Sequence, residues 1–426
     1  MATHTKPRRG AGASHKALAR QLEQQAAAFR AAMSRSDHAS ACIAAQAALK
    51  IMPQHMGVLS DYAFCLMRLG QYEQAHTVYR RIYALPSHLQ QQASPTWLDG
   101  LAEVCGWLER TDDVRRYGQE SLQKADAVHG RGAIVEHLKS SPPAFDSTAP
   151  ERNVIAFTLF GDNPRYCESA VANIEVAAQL FPDWRCRVYL DNSVPGSVEL
   201  RLRKAGAQVF DMSGAAGEGV HPLMWRNLVI DDPDVDRYLI RDADALLSER
   251  EKAAVDEWVA SPNWFHHIRD YFTHTELILA GLWGGCRGGL PAMKPLMQAW
   301  MARQTNVTRF VDQKFLREVV WPSLRQSVMC HDEFFDFHGA RPFPAHAPIR
   351  WRTDKFHVGS NASFQGIEGT TAKAEGDRQC WVIIDGQGQE RCRYHARVIA
   401  GRWRADLPFF MIEPIASGAW RVVARD

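Results

Sequence analysis

The spacing of hydrophobic positions changes partway along the chain. From residue 15 to about 138 they recur at helical spacing in a background rich in Ala, Leu, Gln and Arg, which predicts a run of helices. In the clearest unit Tyr62, Ala63 and Leu69 precede Gly70, and Tyr72, Ala75, Tyr79 and Pro86 follow. Small residues at Ala63 and Ala75 let two antiparallel helices approach, Gly70 turns the chain between them, and the rings fill the gap to the next pair. An earlier unit keeps Ala41, Ala45, Ala48 and Pro53, and a later one keeps Trp97, Leu101, Leu108, Val114 and Leu122. Three such units are about the minimum that buries a continuous core.

After a Pro/Ser stretch at 139–152 the period shortens to that of strands. Residues 153–160 form a β-rich run that ends at the turn Gly161-Asp-Asn-Pro164. A helical pattern follows through Tyr166, Ala170, Val171, Ile174, Ala177 and Leu180, then a strand at 185–190, a helix at 198–205, and strands at 207–210 and 238–240. Strand, helix, strand, helix, strand is the grammar of a parallel sheet with helices on both faces, where ligands sit at the carboxyl ends of the strands. Farther on, the pattern predicts a helix at 252–259, a strand at 264–269, a glycine cluster at 281–289 too dense for a helix, and helices at 291–303 and 309–322. From about 340 short strands are expected, including 381–384. The expected organisation is a disordered basic tail at 1–14, helical repeats at 15–138, a linker at 139–152, an α/β domain at 153–377 and a small β-rich extension at 378–426.

Composition narrows the function classes. At 426 residues, 46% hydrophobic and 23% charged, the chain has the make-up of a globular protein with two domains. A net charge of +2 demands neither nucleic acid nor an acidic membrane surface. Nine cysteines without a Cys-x-x-Cys pair fit a reduced compartment and argue against structural zinc, so the sequons at Asn306 and Asn361 carry little weight. With no apolar run of about 18 residues, no membrane-spanning helix is expected. The expected location is the cytoplasm, with the periphery of the inner membrane as the alternative.

The chemistry concentrates at Tyr238-Leu-Ile-Arg-Asp-Ala-Asp244, an apolar run that ends in two carboxylates one residue apart. Alternate side chains of an extended backbone share a face, so Asp242 and Asp244 converge on one spot. Such a pair is a hard-oxygen site for Mg²⁺ or Mn²⁺, an ion that also holds substrate phosphates. The plainer role for both acids is helix capping or a surface ion pair with Arg241.

A series of segments resembles the nucleotide-sugar glycosyltransferases of the GT-A fold, close to a bacterial group that carries tetratricopeptide-like helical repeats. The matching pieces are Leu159-Phe-Gly-Asp162 with Tyr166, Trp184 with Val188-Tyr-Leu-Asp191, Met224-Trp-Arg226, Arg241-Asp-Ala-Asp244 and Arg250-Glu251. His267-Ile-Arg-Asp270, His274 with Ala280-Gly-Leu-Trp-Gly284, Asp312-Gln313 and Phe356-His-Val-Gly359 complete it. The resemblance implies an α/β GT-A domain behind a helical-repeat domain, and transfer of a sugar from a UDP-linked donor to a glycan, lipid-linked glycan or protein. It implies donor binding by Thr158, Phe160, Asp162, Tyr166, Trp225, Arg226, Arg241, Gly281, Trp283 and Gly284. It also implies metal binding by Asp242, Asp244 and His357, and acceptor-side or catalytic roles for Asp270, Asp312 and Gln313. Each has a plainer role: helix packing for Tyr166, a core position for Trp225, a buried turn for the glycines and Trp283, a wet helix face for Asp312, an ordinary half-buried histidine at 357. His357 departs from the family pattern, because its glycine follows two residues on and the usual Lys-Pro-Trp continuation is missing.

Two other functions compete. The repeats could be the active part, binding a protein partner or a second copy beside an inactive nucleotide-binding domain; the intact carboxylate pair argues against this. A nucleotidyltransferase would want a Gly-rich, basic loop after the first strand, and Gly161-Asp-Asn-Pro-Arg165 is a poor cradle for a triphosphate.

Overall fold

A computed structural model describes residues 11–134, 141–305 and 307–425. Two compact units result, one formed by residues 1–124 with 334–337 and the other by 125–333 with 338–426. Residues 1–10 of the expected tail, residues 139 and 140 of the expected linker, and Asn306 lie outside the described residues. Residues 11–14 are not tail: the chain is helical from Ala11.

The first unit is helical. Its elements are α1 (Ala11–Ser34), α2 (His38–Ile51), α3 (Met56–Arg68), α4 (Tyr72–Tyr83), the short α5 (Ser87–Gln90), α6 (Trp97–Trp107) and the start of α7 (Thr111–His129). From α1 to α6 consecutive long helices pack on one another. Ala41, Ala63 and Ala75 are fully buried at the contacts, and Gly70 takes a left-handed φ of 73° in the turn between α3 and α4. The residues that set the repeat are therefore those that allow the helices to close. The division between units falls inside α7, after Lys124, and not in the Pro/Ser stretch.

The second unit is a mixed α/β domain. In chain order it runs β1 (Asn153–Leu159), α8 (Pro164–Leu180), β2 (Arg185–Leu190), α9 (Gly196–Lys204), β3 (Gln208–Asp211), a 3₁₀ segment Pro222–Asp231, β4 (Arg237–Arg241), α10 (Glu249–Val259), β5 (Phe265–Arg269) and β6 (Leu282–Cys286). Then come α11 (Met293–Met301), α12 (Val311–Phe315), a π-helical turn Leu316–Val320, α13 (Trp321–Leu324) and β7 (Val328–Asp332). The π turn has a local cause. Pro322 lacks the N–H that an α-helix would send back to the Glu318 carbonyl, and the backbone widens ahead of it.

These strands form one sheet in the order β3-β2-β1-β4-β6-β5-β7. β1 pairs in parallel with β2 and β4, and β6 runs antiparallel between β4 and β5. The glycine cluster that could not be helical supplies β6. Gly284 sits opposite Leu239, where an added Cβ would fall 2.5 Å from the Tyr238 carbonyl oxygen, so glycine is what lets β6 pair this closely. From β1 the chain steps to β2 and β3, then crosses to β4 on the other side of β1. The carboxyl ends of β1 and β4 thus flank the point where strand order reverses, the usual ligand crevice of an open α/β sheet.

A second sheet follows: β8 (Gln365–Thr370), β9 (Arg378–Asp385), β10 (Glu390–Ile399), β11 (Arg402–Leu407) and, after α14 (Phe409–Ala416), β12 (Trp420–Arg425), in the order β12-β9-β10-β11-β8. It begins at Gln365, earlier than the expected extension. β10 alternates strictly, with Cys392, Tyr394, Ala396 and Val398 buried and Arg391, Arg393, His395 and Arg397 exposed. Tyr394 donates a 2.6 Å hydrogen bond to Glu168 of α8, which also holds Arg201 of α9 through two 2.7 Å bonds. This sheet packs on the α/β domain as part of the same unit.

Candidate functional site

The crevice between β1 and β4 gathers the residues the sequence singles out, though not all of them. A cavity here is lined by Thr158, Phe160, Tyr166, Leu223, Arg226 and the segment Asp242–Asp244. Phe160 and Tyr166 keep 40% and 37% of their surface exposed, and the Arg165 guanidinium lies over the Tyr166 ring. Asn163 caps α8 by accepting the Arg165 N–H at 3.0 Å, and Pro164 occupies its first turn, so the helix begins directly behind β1 with its amino end toward the crevice.

Asp242 follows β4 directly and Asp244 falls in the turn after it, not on the extended backbone that the spacing suggested, and both line the cavity. The Asp242 side chain is 47% exposed, and one of its oxygens, Oδ1, accepts from Arg226 Nη1. The other, Oδ2, lies over Gly281, where a Cβ would come within 2.0 Å of it. Gly281 is thus a contact residue of the carboxylate. Asp244 is almost buried, and its Oδ2 accepts from Arg165 Nε at 2.8 Å and from Nη2 as well. Burial first, then the charge of Asp242, push the Asp244 carboxyl above the ordinary carboxylate range, while Arg165 opposes the rise.

Arg226 ties the crevice together. It is 4% exposed; Nη1 donates to the Arg241 carbonyl at 2.9 Å as well as to Asp242, and Nη2 donates to Asp312 at 3.0 Å. Its backbone N–H donates to Thr158 Oγ1 at 3.0 Å, which fixes the 3₁₀ segment against the end of β1. Asp312 is raised by burial, lowered by Arg226 and raised again by Asp242. Gln313 accepts the Ala280 N–H at 3.0 Å and so holds the loop that presents Gly281. Asp312 and Gln313 act here as supports.

Several expected site residues lie elsewhere in the domain. Arg241 is buried in an ion pair with Glu251 and donates 2.8 Å bonds to the Ile240 and Trp283 carbonyls, which leaves it facing the core and not a donor. Trp283 is fully buried in β6 against Tyr238, and Gly284 is an interior strand residue, so neither has a face for a sugar. Trp225 is 4% exposed and donates to the Val220 carbonyl at 3.0 Å; only its edge contact with Phe160 relates it to the crevice. Asp162 reaches Arg378 at the start of β9. Asp270 is held by Arg250 at 2.8 Å and by the Val358 N–H at 2.9 Å, which makes it an anchor for the 357–359 segment and leaves little freedom for a base. Burial raises its carboxyl against those donors.

His357 does not join the pair. Its ring stacks on Tyr271 at 3.8 Å, with His274 edge-on at 5.5 Å, and its ligand atoms do not gather with those of Asp242 and Asp244 within 4.8 Å. Burial drives its imidazole down to about 4, so it is neutral across the physiological range. The described residues do bring His76, Cys105 and Asp113 within 4.8 Å in the helical unit. Arg110 Nη1 lies 3.0 Å from His76 Nδ1 there, so a cation already occupies that cluster.

Arg165 meets Asp244 at the crevice, though sequence analysis weighed it only within a loop read as a poor cradle for a triphosphate. The cue was present, since Asn163 and Pro164 mark a helix start behind β1 and place residue 165 in its first turn.

No family model matches the chain, and no curated protein matches it. Among solved structures, one match is a mutant of the Thermobaculum terrenum O-GlcNAc transferase, at 16% identity and a TM-score of 0.27. The match covers 56% of this chain and 47% of that one, so it spans about half the length of the other protein. At this TM-score the likeness carries no weight for fold or function. No described helix is long and apolar enough to cross a membrane.

Proposed function

We propose that the α/β unit is a GT-A-type glycosyltransferase domain that transfers a sugar from a nucleotide-activated donor, uridine-linked, to a glycan, lipid-linked glycan or protein. The observation that carries this proposal is that Asp242 and Asp244 line one cavity beyond the carboxyl end of β4, where strand order reverses. The donor set suits Mg²⁺ or Mn²⁺. Asp242 Oδ2 has no hydrogen-bond donor among the described residues, the side chain is half exposed, and a hard cation keeps waters or takes phosphate oxygens at its remaining positions. Asp242 and Asp244 would hold the ion without His357.

When bound, the cation stabilises the charge that develops on the nucleoside diphosphate as the sugar–phosphate bond breaks. The rest falls to the chain itself. Phe160 and Tyr166 offer ring faces for the base. The amino end of α8 favours the anionic diphosphate. Arg226 holds Asp242 in place through its second anchor at Asp312, and Gln313 keeps Gly281 beneath the carboxylate.

The test is calorimetric binding of uridine diphosphate with and without Mn²⁺. Wild type is expected to bind only with metal, and Asp244→Asn to lose at least about tenfold in affinity, about 1.4 kcal/mol. Metal-independent binding, or no binding of any nucleotide or nucleotide sugar, overturns the proposal. Metal-independent binding would fit a nucleotide-binding module in which arginines already neutralise the carboxylates.

A further inference from the structure

The two carboxylates are each met by an arginine, and the two arginines differ in kind. Arg226 is 4% exposed and locked, with bonds to Asp242, Asp312 and the Arg241 carbonyl. The Arg165 side chain is 28% exposed, and among the described residues its guanidinium hydrogen-bonds to Asp244 alone. Its guanidinium also lies over the ring of Tyr166, 5.0 Å from the centroid. One arginine belongs to the framework, and the other is fastened at a single point on the edge of the cavity.

Both Arg165 donors fall on Oδ2 of an almost buried carboxylate. A divalent cation on Asp244 would share that carboxylate with a guanidinium. Two cations on one poorly solvated group repel each other more strongly than they would in water. Arg165 keeps 28% of its side chain exposed and is in the first turn of α8, beside Tyr166 on the cavity wall. A diphosphate that arrives with the cation offers it new acceptors, to which a guanidinium bonds in forked geometry.

We propose that Arg165 is an exchange residue. It occupies Asp244 while the crevice is empty, gives way to the divalent cation, and transfers its hydrogen bonds to the diphosphate of the incoming nucleotide. This rests on the metal-dependent donor site proposed above. The exchange makes metal and nucleotide binding cooperative: the cation alone must displace a bonded cation, whereas cation and diphosphate together restore every charge pair.

The test uses the full chain and two probes, Mn²⁺ alone followed by electron paramagnetic resonance, and uridine diphosphate at saturating Mn²⁺ followed by calorimetry. Arg165→Met is expected to bind Mn²⁺ alone about tenfold more tightly than wild type, and uridine diphosphate about tenfold more weakly. Arg165→Lys should recover part of the nucleotide affinity. A merely structural role predicts the opposite sign for the first measurement, because loss of a support would weaken Mn²⁺ binding. Weaker or unchanged Mn²⁺ affinity in a folded Arg165→Met, checked by circular dichroism, overturns the exchange. Absence of Mn²⁺ binding by both proteins overturns the metal site itself, a result distinct from a wild-type site that Arg165→Met leaves unaltered.

Discussion

Gly281 and Asp242 give the sharpest residue-scale consequence. A methyl at position 281 would lie 2.0 Å from Asp242 Oδ2, so the carboxylate would have to turn out of the crevice. Gly281→Ala is therefore expected to weaken Mn²⁺-dependent uridine diphosphate binding by about tenfold or more. The thermal midpoint should fall by less than the binding, because the Asp242 side chain is half exposed and can turn toward solvent at the cost of its bond to Arg226. Calorimetry and a thermal melt on the same preparation separate the two effects. At this scale the residues that sequence analysis singled out and the fold brings to one cavity are Asp242, Asp244, Phe160, Tyr166 and Arg226, whose patterns are local. It misjudged Arg241 and Trp283, because an Arg beside an Asp-x-Asp pair and a Trp among glycines look alike whether they face a ligand or the core.

At the scale of elements, the buried charges act as fasteners. Arg241 and Glu251 join β4 to α10, and Glu168 joins α8 to α9 through Arg201 and to β10 through Tyr394. Glu168 is 5% exposed, so removing one donor leaves acceptor capacity unsatisfied in the interior. Tyr394→Phe is expected to lower the stability of the α/β unit by about 1–3 kcal/mol, measured by urea denaturation. Unchanged stability would mean that the second sheet is held by apolar packing alone. The strands of the β-α-β series were legible because their apolar runs are bounded by turn residues. β6 was not, because its glycines have meaning only once β4 and β5 are in place on either side.

Over the whole molecule, histidine burial sets the acid limit. Burial holds His266, His267 and His274 well below their ordinary range and brings His357 down to about 4. Folded values below the unfolded one, near 6.5, mean that the unfolded chain binds more protons in between. Their stabilisation is complete above about 6.5 and is lost as pH falls toward the folded values. Asp244, Asp270, Asp312 and Glu276 are raised by burial and act in the opposite sense. Their effect runs from about 4 up to the raised folded values, so the histidine contribution is read as a difference between variants. Between about pH 7 and about pH 5 wild type is expected to lose more, or gain less, in urea midpoint than His357→Phe, which keeps a ring against Tyr271.

The sequence by itself determined the helix-pair stack, the parallel β1 to β4 core and the two carboxylates at its edge, because period, turn residues and spacing along one backbone segment are local properties. Only the tertiary structure decided which arginines meet those carboxylates. Arg226 and Arg165 are 16 and 79 residues distant from their partners, and no local pattern records a contact made across the sheet. The same holds for His357, which spacing suggested as a ligand and which the fold instead stacks against Tyr271.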